Sequence, residues 1–370
     1  MFINILIIIS VLYIILIISL IIGFDKIPYF SATETATKLK FTIIIPFRNE
    51  AENISALANS LKQLNYPKNS FEIIFVNDGS TDNSVPLLTE FIINNFNWKV
   101  IDNIRKSNSP KKDAITIAIQ QAKYTWIITT DADCIVPNEW LNSFSSFINK
   151  NDKIKMIAAP VSYKANNTFL DQFQLMDFIS LIGTTIGSFG LNKPFMCNGA
   201  NLCYSKQAFL NVNGFQGNDN ISSGDDVFLL EKISTKYPNQ VKYIKTTNAL
   251  VITKPESNFK GLINQRIRWA SKTSKTKSLL SKFVGVLVLL MNITIFWSLL
   301  FGLWFIHSKF LISIILILKL IFDYVLINKT YQFVHQKLNI LNYFKSSLVY
   351  PFFIVFIVVK STFTKVSWKG

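Results

Sequence analysis

The chain has 370 residues, 50% of them hydrophobic, with a mean hydropathy of +0.31 and a formal charge of +16 from 38 Lys and Arg against 22 Asp and Glu. That apolar share is too high for an ordinary soluble domain and predicts that part of the chain lies in a membrane. The basic excess would also suit nucleic acid, but its densest stretch adjoins an apolar segment, where anionic lipid headgroups are the simpler partner, so nucleic acid is set aside. Cys134, Cys197 and Cys203 make neither a disulfide framework nor a zinc spacing and read as free thiols in a reducing compartment.

In chain order, residues 3–23 are an almost unbroken Ile/Leu run, about the length of one spanning helix of roughly 20 residues. A cleaved signal peptide fits poorly, because the start is not basic and no small-residue cleavage site follows. Residues 41–46, apolar and closed by Pro46, predict a buried strand. A helix over 50–64 follows, then a strand over 71–76 that runs into Asn77, Asp78, Gly79 and Ser80. The pattern continues with a helix over 82–94, a strand over 98–101, a helix over 112–122 and a strand ending at Asp131.

This alternation predicts an α/β fold with a parallel, doubly wound sheet and ligands beyond the carboxyl ends of its strands. Arg48, Asn49 and Glu50 fall at the first such end, Asp78 at the second, and Asp131 with Asp133 at the fourth. Asp78 and Gly79 are also ordinary turn residues, and Asp82 an ordinary helix cap. Two carboxylates one residue apart at a strand end suit a divalent cation and the polyphosphate it carries.

Residues 181–190 are apolar and punctuated by Gly183, Gly187 and Gly190, which suits either an acceptor-side surface or a closely packed helix. Residues 283–306 and 310–327 are two further spanning candidates, joined by His307, Ser308 and Lys309 and therefore antiparallel. Residues 348–359, which include Pro351, fall short of the ~17 usually needed for a span; spanning at a tilt, re-entering and lying at the interface all stay open, with the last two preferred. Lys254, Lys260, Arg266, Arg268, Lys272, Lys275, Lys277 and Lys282 precede the first of these spans with Glu256 alone opposing, so the large polar region is expected on the cytoplasmic side and Met1 outside. Against that orientation, a spanning 348–359 would put the basic tail with Lys360, Lys365 and Lys369 outside.

Several short motifs now fall in one order: Pro46 to Glu50, Val76 to Asp82, Thr130 to Asp133, Asn198 to Asn201, Gly224 to Asp226, and Gln265 to Trp269. Together they resemble glycosyltransferase family 2 over residues 40–270. The resemblance implies the GT-A fold, a Rossmann-like, doubly wound and mostly parallel sheet, and transfer with inversion at the anomeric carbon. It further implies a nucleotide-sugar donor, UDP- or GDP-linked, whose base Asp78 recognises while Pro46, Glu50, Lys112 and Asp131 line the nucleotide pocket. Asp133, with Asp131, would hold Mg2+ or Mn2+ against the diphosphate.

Asp226 matches the general base that takes the proton of the acceptor hydroxyl, and Asp225 stands beside it where Glu is more usual. The plainer reading of Asp225 is a cap for a helix over 227–234. Gln265, Arg268 and Trp269 fit a Gln-x-x-Arg-Trp pattern whose i, i+3, i+4 spacing presents all three on one helical face. Their implied place, with Gly199 and Asn201, is the diphosphate and the acceptor; an interfacial helix at the headgroups is the plainer one.

In the stretch where the family has Gly-Lys-x-x-Ala-Leu-Asn, this chain has residues 109–116, with Lys112 and Ala114 kept and Thr116 in place of Asn.

The domain plan expected is an amino-terminal membrane helix (1–24), a cytoplasmic catalytic domain (40–270), a basic juxtamembrane segment (271–282) and a carboxyl-terminal membrane region (283–370), in a bacterial-type inner membrane. An acceptor that is a membrane lipid or lipid-linked saccharide suits this plan. A processive polysaccharide synthase is the competing reading, and with so few spans it would need a partner or an oligomer to complete a pore. A non-catalytic membrane scaffold is disfavoured by the complete acid set. A nucleotidyltransferase is disfavoured because Phe47, Arg48 and Asn49 include no glycine for a phosphate loop.

Overall fold

The first apolar run is a helix, α1 (Phe2–Lys26), and the second a strand, β1 (Phe41–Phe47). A computed structural model describes residues 2–32, 38–93, 95–301 and 309–364; the expected link at His307 and Ser308, the end of the second span at 302–306, the helix end at Asn94, and the tail lysines Lys365 and Lys369 lie outside the described residues. After β1 come α2 (Ala51–Lys62), β2 (Phe71–Asn77), α3 (Ser84–Ile93), β3 (Trp98–Asp102), α4 (Pro110–Gln121) and β4 (Trp126–Thr129), the alternation predicted. Next are α5 (Trp140–Asn149), β5 (Met156–Ala158), β6 (Val161–Tyr163), α6 (Phe169–Gly190), β7 (Leu202–Ser205) and α7 (Lys206–Asn211). The chain continues through α8 (Asp225–Lys236), β8 (Val241–Tyr243), β9 (Val251–Thr253), α9 (Phe259–Lys275), α10 (Leu279–Phe301), α11 (Lys309–Phe333) and α12 (Ile340–Phe363).

These elements fall into two units. The sheet unit takes Pro28–Lys164 and Met196–Lys254; the helical unit takes the described residues of Met1–Ile27, Ala165–Phe195 and Pro255–Val366.

In the sheet unit seven strands run in the order β3-β2-β1-β4-β7-β5-β8. All seven residues of β1 are buried, as expected of a central parallel strand covered on both faces. β1 pairs in parallel with β2 and with β4, and β2 with β3, so Phe47, Asn77 and Asp102 reach the same edge in register. From β1 the chain winds outward through β2 and β3, then returns to place β4 on the other side. The crevice at which strand order reverses therefore opens beside the ends of β1 and β4, where a doubly wound sheet takes its ligands.

Past β4 the sheet is mixed: β7 is antiparallel to both β4 and β5, and β5 is parallel to β8. β6 and β9 form a small parallel sheet, and Ile135, after β4, bridges to Ile252 in β9. That bridge ties the segment carrying Asp131 and Asp133 to the second sheet.

In the helical unit the glycine-punctuated stretch is the packed helix α6. A Cβ built on Gly187 would stand 2.5 Å from the Leu20 carbonyl oxygen of α1, and one on Gly183 would stand 2.5 Å from Thr330 Oγ1 of α11. Gly23 faces Gly187 and Gly190 just as closely, so α1 and α6 cross with their backbones in contact, a geometry small residues alone allow. Between α1 and α11, Tyr13 Oη donates to Asp323 Oδ1 at 2.8 Å while Lys319 Nζ pairs with Asp323 Oδ2 at 2.6 Å. Lys319 and Asp323 thus satisfy each other within the bundle.

Asn4–Lys26, Leu279–Ser298, Phe310–Phe333 and Ile340–Phe363 are each long and apolar enough to cross a membrane, and the chain is an integral membrane protein. The fourth contains the segment 348–359 and is twice its length. Its helix starts earlier, at a turn where the Asn339 side chain accepts from the amides of Leu341 and Asn342, and runs through Pro351 for 24 residues.

Candidate active site

The loops after β1 and β2 are bound into one surface. Asn49, in the left-handed region at φ 53°, donates from its amide to Ser80 Oγ at 3.1 Å and accepts from the Thr81 amide at 2.8 Å. The Glu50 amide donates to Ser84 Oγ at 2.7 Å and the Ala51 amide to Asp82 Oδ2 at 3.0 Å. Asp82 also accepts from the Ser84 amide at the start of α3, so it serves as the expected cap and as a cross-link. Glu50 is buried, with its carboxylate accepting from Asn53 Nδ2 at 2.7 Å, and Pro46 is buried within β1.

Asp78, 1% exposed, lies under this surface, and two residues unmarked in the sequence hold it. Arg105 donates to Oδ1 from Nε at 2.8 Å and to Oδ2 from Nη2 at 2.7 Å, a two-pronged contact that fixes the plane of the carboxylate. Asn103 Nδ2 adds a third bond to Oδ1 at 2.7 Å. Neither residue carried a signal, because the loop after β3 has no feature of charge or spacing that separates it from a solvated turn.

The acids after β4 and at the start of α8 meet at one ammonium. Lys111 Nζ stands 2.7 Å from Asp131 Oδ1 and 3.1 Å from Asp225 Oδ2. Burial alone would push this ammonium down, but Asp131, Asp225 and Asp226 outweigh it and hold Lys111 above its ordinary value, as a cation. Lys111, rather than the expected Lys112, meets the acids: the family pattern has its lysine three residues before the alanine, and three before Ala114 is Lys111. Lys112 is buried instead with Nζ donating to the carbonyls of Asn218 at 2.7 Å and Ile221 at 2.8 Å, which anchors the chain leading into the acid pair.

Asp133 is deeper. Its Oδ2 accepts from Thr253 Oγ1 of β9 at 3.1 Å, and burial, with Asp131 beside it, pushes its carboxyl above the usual range. The neighbouring Cys134 thiol is likewise pushed up, by burial first, and stays protonated.

Asp225 and Asp226 open α8, where the amino-terminal dipole favours anions. The turn before them needs Gly224. Its φ is +83°, and a Cβ there would stand 2.6 Å from the Phe228 ring. The cap of the helix is thus Gly224 rather than Asp225, and Asp226 is buried with Oδ1 accepting its neighbour Val227's amide at 2.7 Å. Gly199 packs on the same pair, since a Cβ there would stand 2.8 Å from Asp225 Oδ2 and 3.5 Å from Lys111 Nζ. Asn201, two residues on, has its amide spent inside the fold: Nδ2 donates to the Pro160 and Ala249 carbonyls at 2.7 Å each, and Oδ1 accepts from Trp140 Nε1 at 2.9 Å.

Gln265, Arg268 and Trp269 lie on α9 of the helical unit. There Gln265 Nε2 donates to Glu256 Oε1 at 3.1 Å, and the Trp269 ring lies 6.0 Å from that of Phe178.

Among the described residues no three His, Cys, Asp or Glu side chains gather as a metal cage. Asp131 and Asp133 offer two carboxylates, which is the number Mg2+ commonly takes from protein when substrate phosphates complete its shell, so the residues fit such an ion.

Residues 42–211 match the family model for Glycosyl transferase family 2. The chain is 27% identical over 223 residues to the poly-beta-1,6-N-acetyl-D-glucosamine synthase of Staphylococcus epidermidis, covering 60% of this chain and 52% of the relative. It is 31% identical over 113 residues to the poly(ribitol-phosphate) beta-N-acetylglucosaminyltransferase TarS of Staphylococcus aureus, covering 30% and 19%. It therefore spans about half the length, or less, of these curated relatives. In fold it is similar to a mannosyltransferase from Pyrobaculum calidifontis solved in complex with GDP-Man and Mn2+, at a TM-score of 0.53 and 16% identity over 73% of each chain.

Proposed function

We propose, for a chain that carries a glycosyltransferase family 2 domain, that it moves a sugar from a nucleotide diphosphate sugar to a hydroxyl of a membrane-associated acceptor, a lipid or lipid-linked saccharide, with inversion. The observation that carries this is the meeting of Asp131 and Asp225 on Lys111, which sets the acids after β4 against the acid pair of α8. Asp226 takes the proton of the acceptor hydroxyl as its oxygen bonds to the anomeric carbon, while the bond to the diphosphate breaks on the opposite face. Mg2+ or Mn2+, held by Asp131 and Asp133 when bound, would supply charge neutralisation for the departing diphosphate.

Asp78, its carboxylate oriented by Arg105 and Asn103, reads the base of a UDP- or GDP-linked donor, with Pro46 and Glu50 lining the nucleoside side. Arg268 serves the diphosphate, Gln265 and Trp269 serve the acceptor, and Gly199 lets the backbone approach the acid pair. The basic residues ahead of α10 support a cytoplasmic sheet unit.

The test is nucleoside diphosphate release by purified protein in native lipids, across a panel of nucleotide sugars with Mn2+, Mg2+ or chelator. Release depends on metal and disappears in Asp133→Ala and Asp226→Asn; full activity in either variant overturns these roles. A second reading, a processive polysaccharide synthase completed by a partner or a second copy, is favoured by the similarity to poly-beta-1,6-N-acetyl-D-glucosamine synthase. A ladder of long glycans among the products selects it, and short products select single transfer.

A further inference from the structure

α9 buries one charged residue, and it is not one of the three that its motif marks. Arg266 is 6% exposed, as is Asp177 of α6, and Arg266 Nε stands 2.6 Å from Asp177 Oδ2. Leu262 and Ile267 of the same helix pack with Phe173 of α6 and with Phe353 and Ile357 of α12. A buried ion pair is often no more stabilising than apolar side chains of the same volume. Its presence here is better explained by the geometry it imposes.

The guanidinium reaches two of the three motif side chains at once. Nη1 donates to Gln265 Oε1, and the plane lies over the Trp269 indole with Cζ 4.1 Å from the ring centroid. The Trp269 indole is thus flanked by Arg266 and by Phe178, and the Gln265 amide is held at both ends, by Arg266 on its oxygen and by Glu256 on its nitrogen. Glu256 is itself fixed to α6, because its amide donates to Gln174 Oε1 and its carbonyl accepts from Gln174 Nε2, both at 2.9 Å. Asp177 and Gln174 of α6 therefore set the rotamers of Gln265 and Trp269 through Arg266 and Glu256.

We propose that Arg266 is a positioning residue for the acceptor, acting through Gln265 and Trp269. This rests on the reading above that those two residues serve the acceptor. A planar fork is essential to it: lysine would keep the charge opposite Asp177 but could not bond Gln265 and cover Trp269 together.

The experiment uses the full chain in native-lipid nanodiscs, with the nucleotide sugar that wild type turns over fastest and vesicles of native lipid extract as acceptor. Arg266→Lys, Arg266→Met, Glu256→Ala and the paired Asp177→Asn/Arg266→Met are compared by KM for the extract, kcat, release to water without extract, and melting midpoint. The expected result is a KM for the extract raised on the order of tenfold to a hundredfold in all four, Arg266→Lys included, with release to water within twofold of wild type. Wild-type constants in Arg266→Lys mean that the residue merely neutralises Asp177 and overturn the proposal. Should Arg266→Met fail to fold, Arg266→Lys and Glu256→Ala decide the matter. Absence of nucleoside diphosphate release by wild type with every sugar instead sinks the enzyme reading itself, and the positioning role with it.

Discussion

Lys111→Met removes the ammonium from the acid cluster and leaves a side chain of similar reach. At an effective dielectric of about 20, its contacts at 2.7 and 3.1 Å are each worth roughly 5 to 6 kcal/mol before desolvation is subtracted. Asp131 is 36% exposed and recovers water when the ammonium goes, whereas Asp225, at 12%, recovers little. The net loss of stability is therefore about 2 to 4 kcal/mol, somewhat below the cost of breaking a fully buried pair on one side. The protonation of the site changes as well. Burial already pushes the Asp133 carboxyl up, and Asp131 adds to it. Without Lys111 the negative charge of Asp131 is unopposed, the anionic form of Asp133 is disfavoured further, and protons bind it at higher pH. The acid limb of the pH profile for nucleoside diphosphate release should therefore move up. Initial rates from about pH 5 to 9 and melting curves at both ends, on wild type and variant, measure both effects. An acid limb that stays or moves down, with an unchanged melting midpoint, refutes the account of Lys111 as the counter-charge.

Arg105→Met frees the plane of the Asp78 carboxylate and should raise the KM for the nucleotide sugar about tenfold with kcat within twofold; titration calorimetry with the nucleoside diphosphate alone should show the same loss. Gly199→Ala puts a methyl 2.8 Å from Asp225 Oδ2, so the carboxylate must shift from its place beside Lys111. Its kcat should fall roughly tenfold, and unchanged kcat means that Asp225 moves without consequence. Gly187→Ala sets a methyl 2.5 Å from the Leu20 carbonyl, against backbone that cannot yield. It should cost about 1 to 3 kcal/mol or prevent folding, read as the melting midpoint and the yield of monodisperse protein in detergent.

The first half of the sheet unit was legible because β1 and β2 are seven-residue strands, apolar and buried on both faces, and helices alternate with the strands that follow. The predicted strands at 41–46, 71–76 and 98–101 differ from β1, β2 and β3 by one residue each at their carboxyl ends. β5, β6, β8 and β9 have three residues each, too few for any periodicity, and the antiparallel β7 is recognisable from its pairing alone. In the site, the acids were legible because strand ends and a turn glycine mark them. Lys111 and Lys112 are adjacent lysines on one helix, and what separates them is the direction each side chain takes, which only the strict spacing from Ala114 encodes. Asn201 was misleading in a different way: an asparagine beside a glycine in a motif looks available, yet its amide completes the hydrogen bonding of three buried groups. α12 was underestimated because the apolar count stopped at Leu348, whereas Tyr343 and Ser346 are buried and extend the packed face toward the helix start.

The crossing of α1 with α6 means that the amino-terminal helix is a component rather than a leash. Gly23 meets Gly187 and Gly190 backbone to backbone, so a generic apolar helix substituted for α1 would still deliver the chain to the membrane but would leave the α6 groove unfilled. Chimaeras that exchange this helix should localise correctly and yet fail to mature. Because α6 follows β1 to β6 in the chain, the partner of the α1 glycine face is synthesised only after those strands, and shorter chains lack this contact.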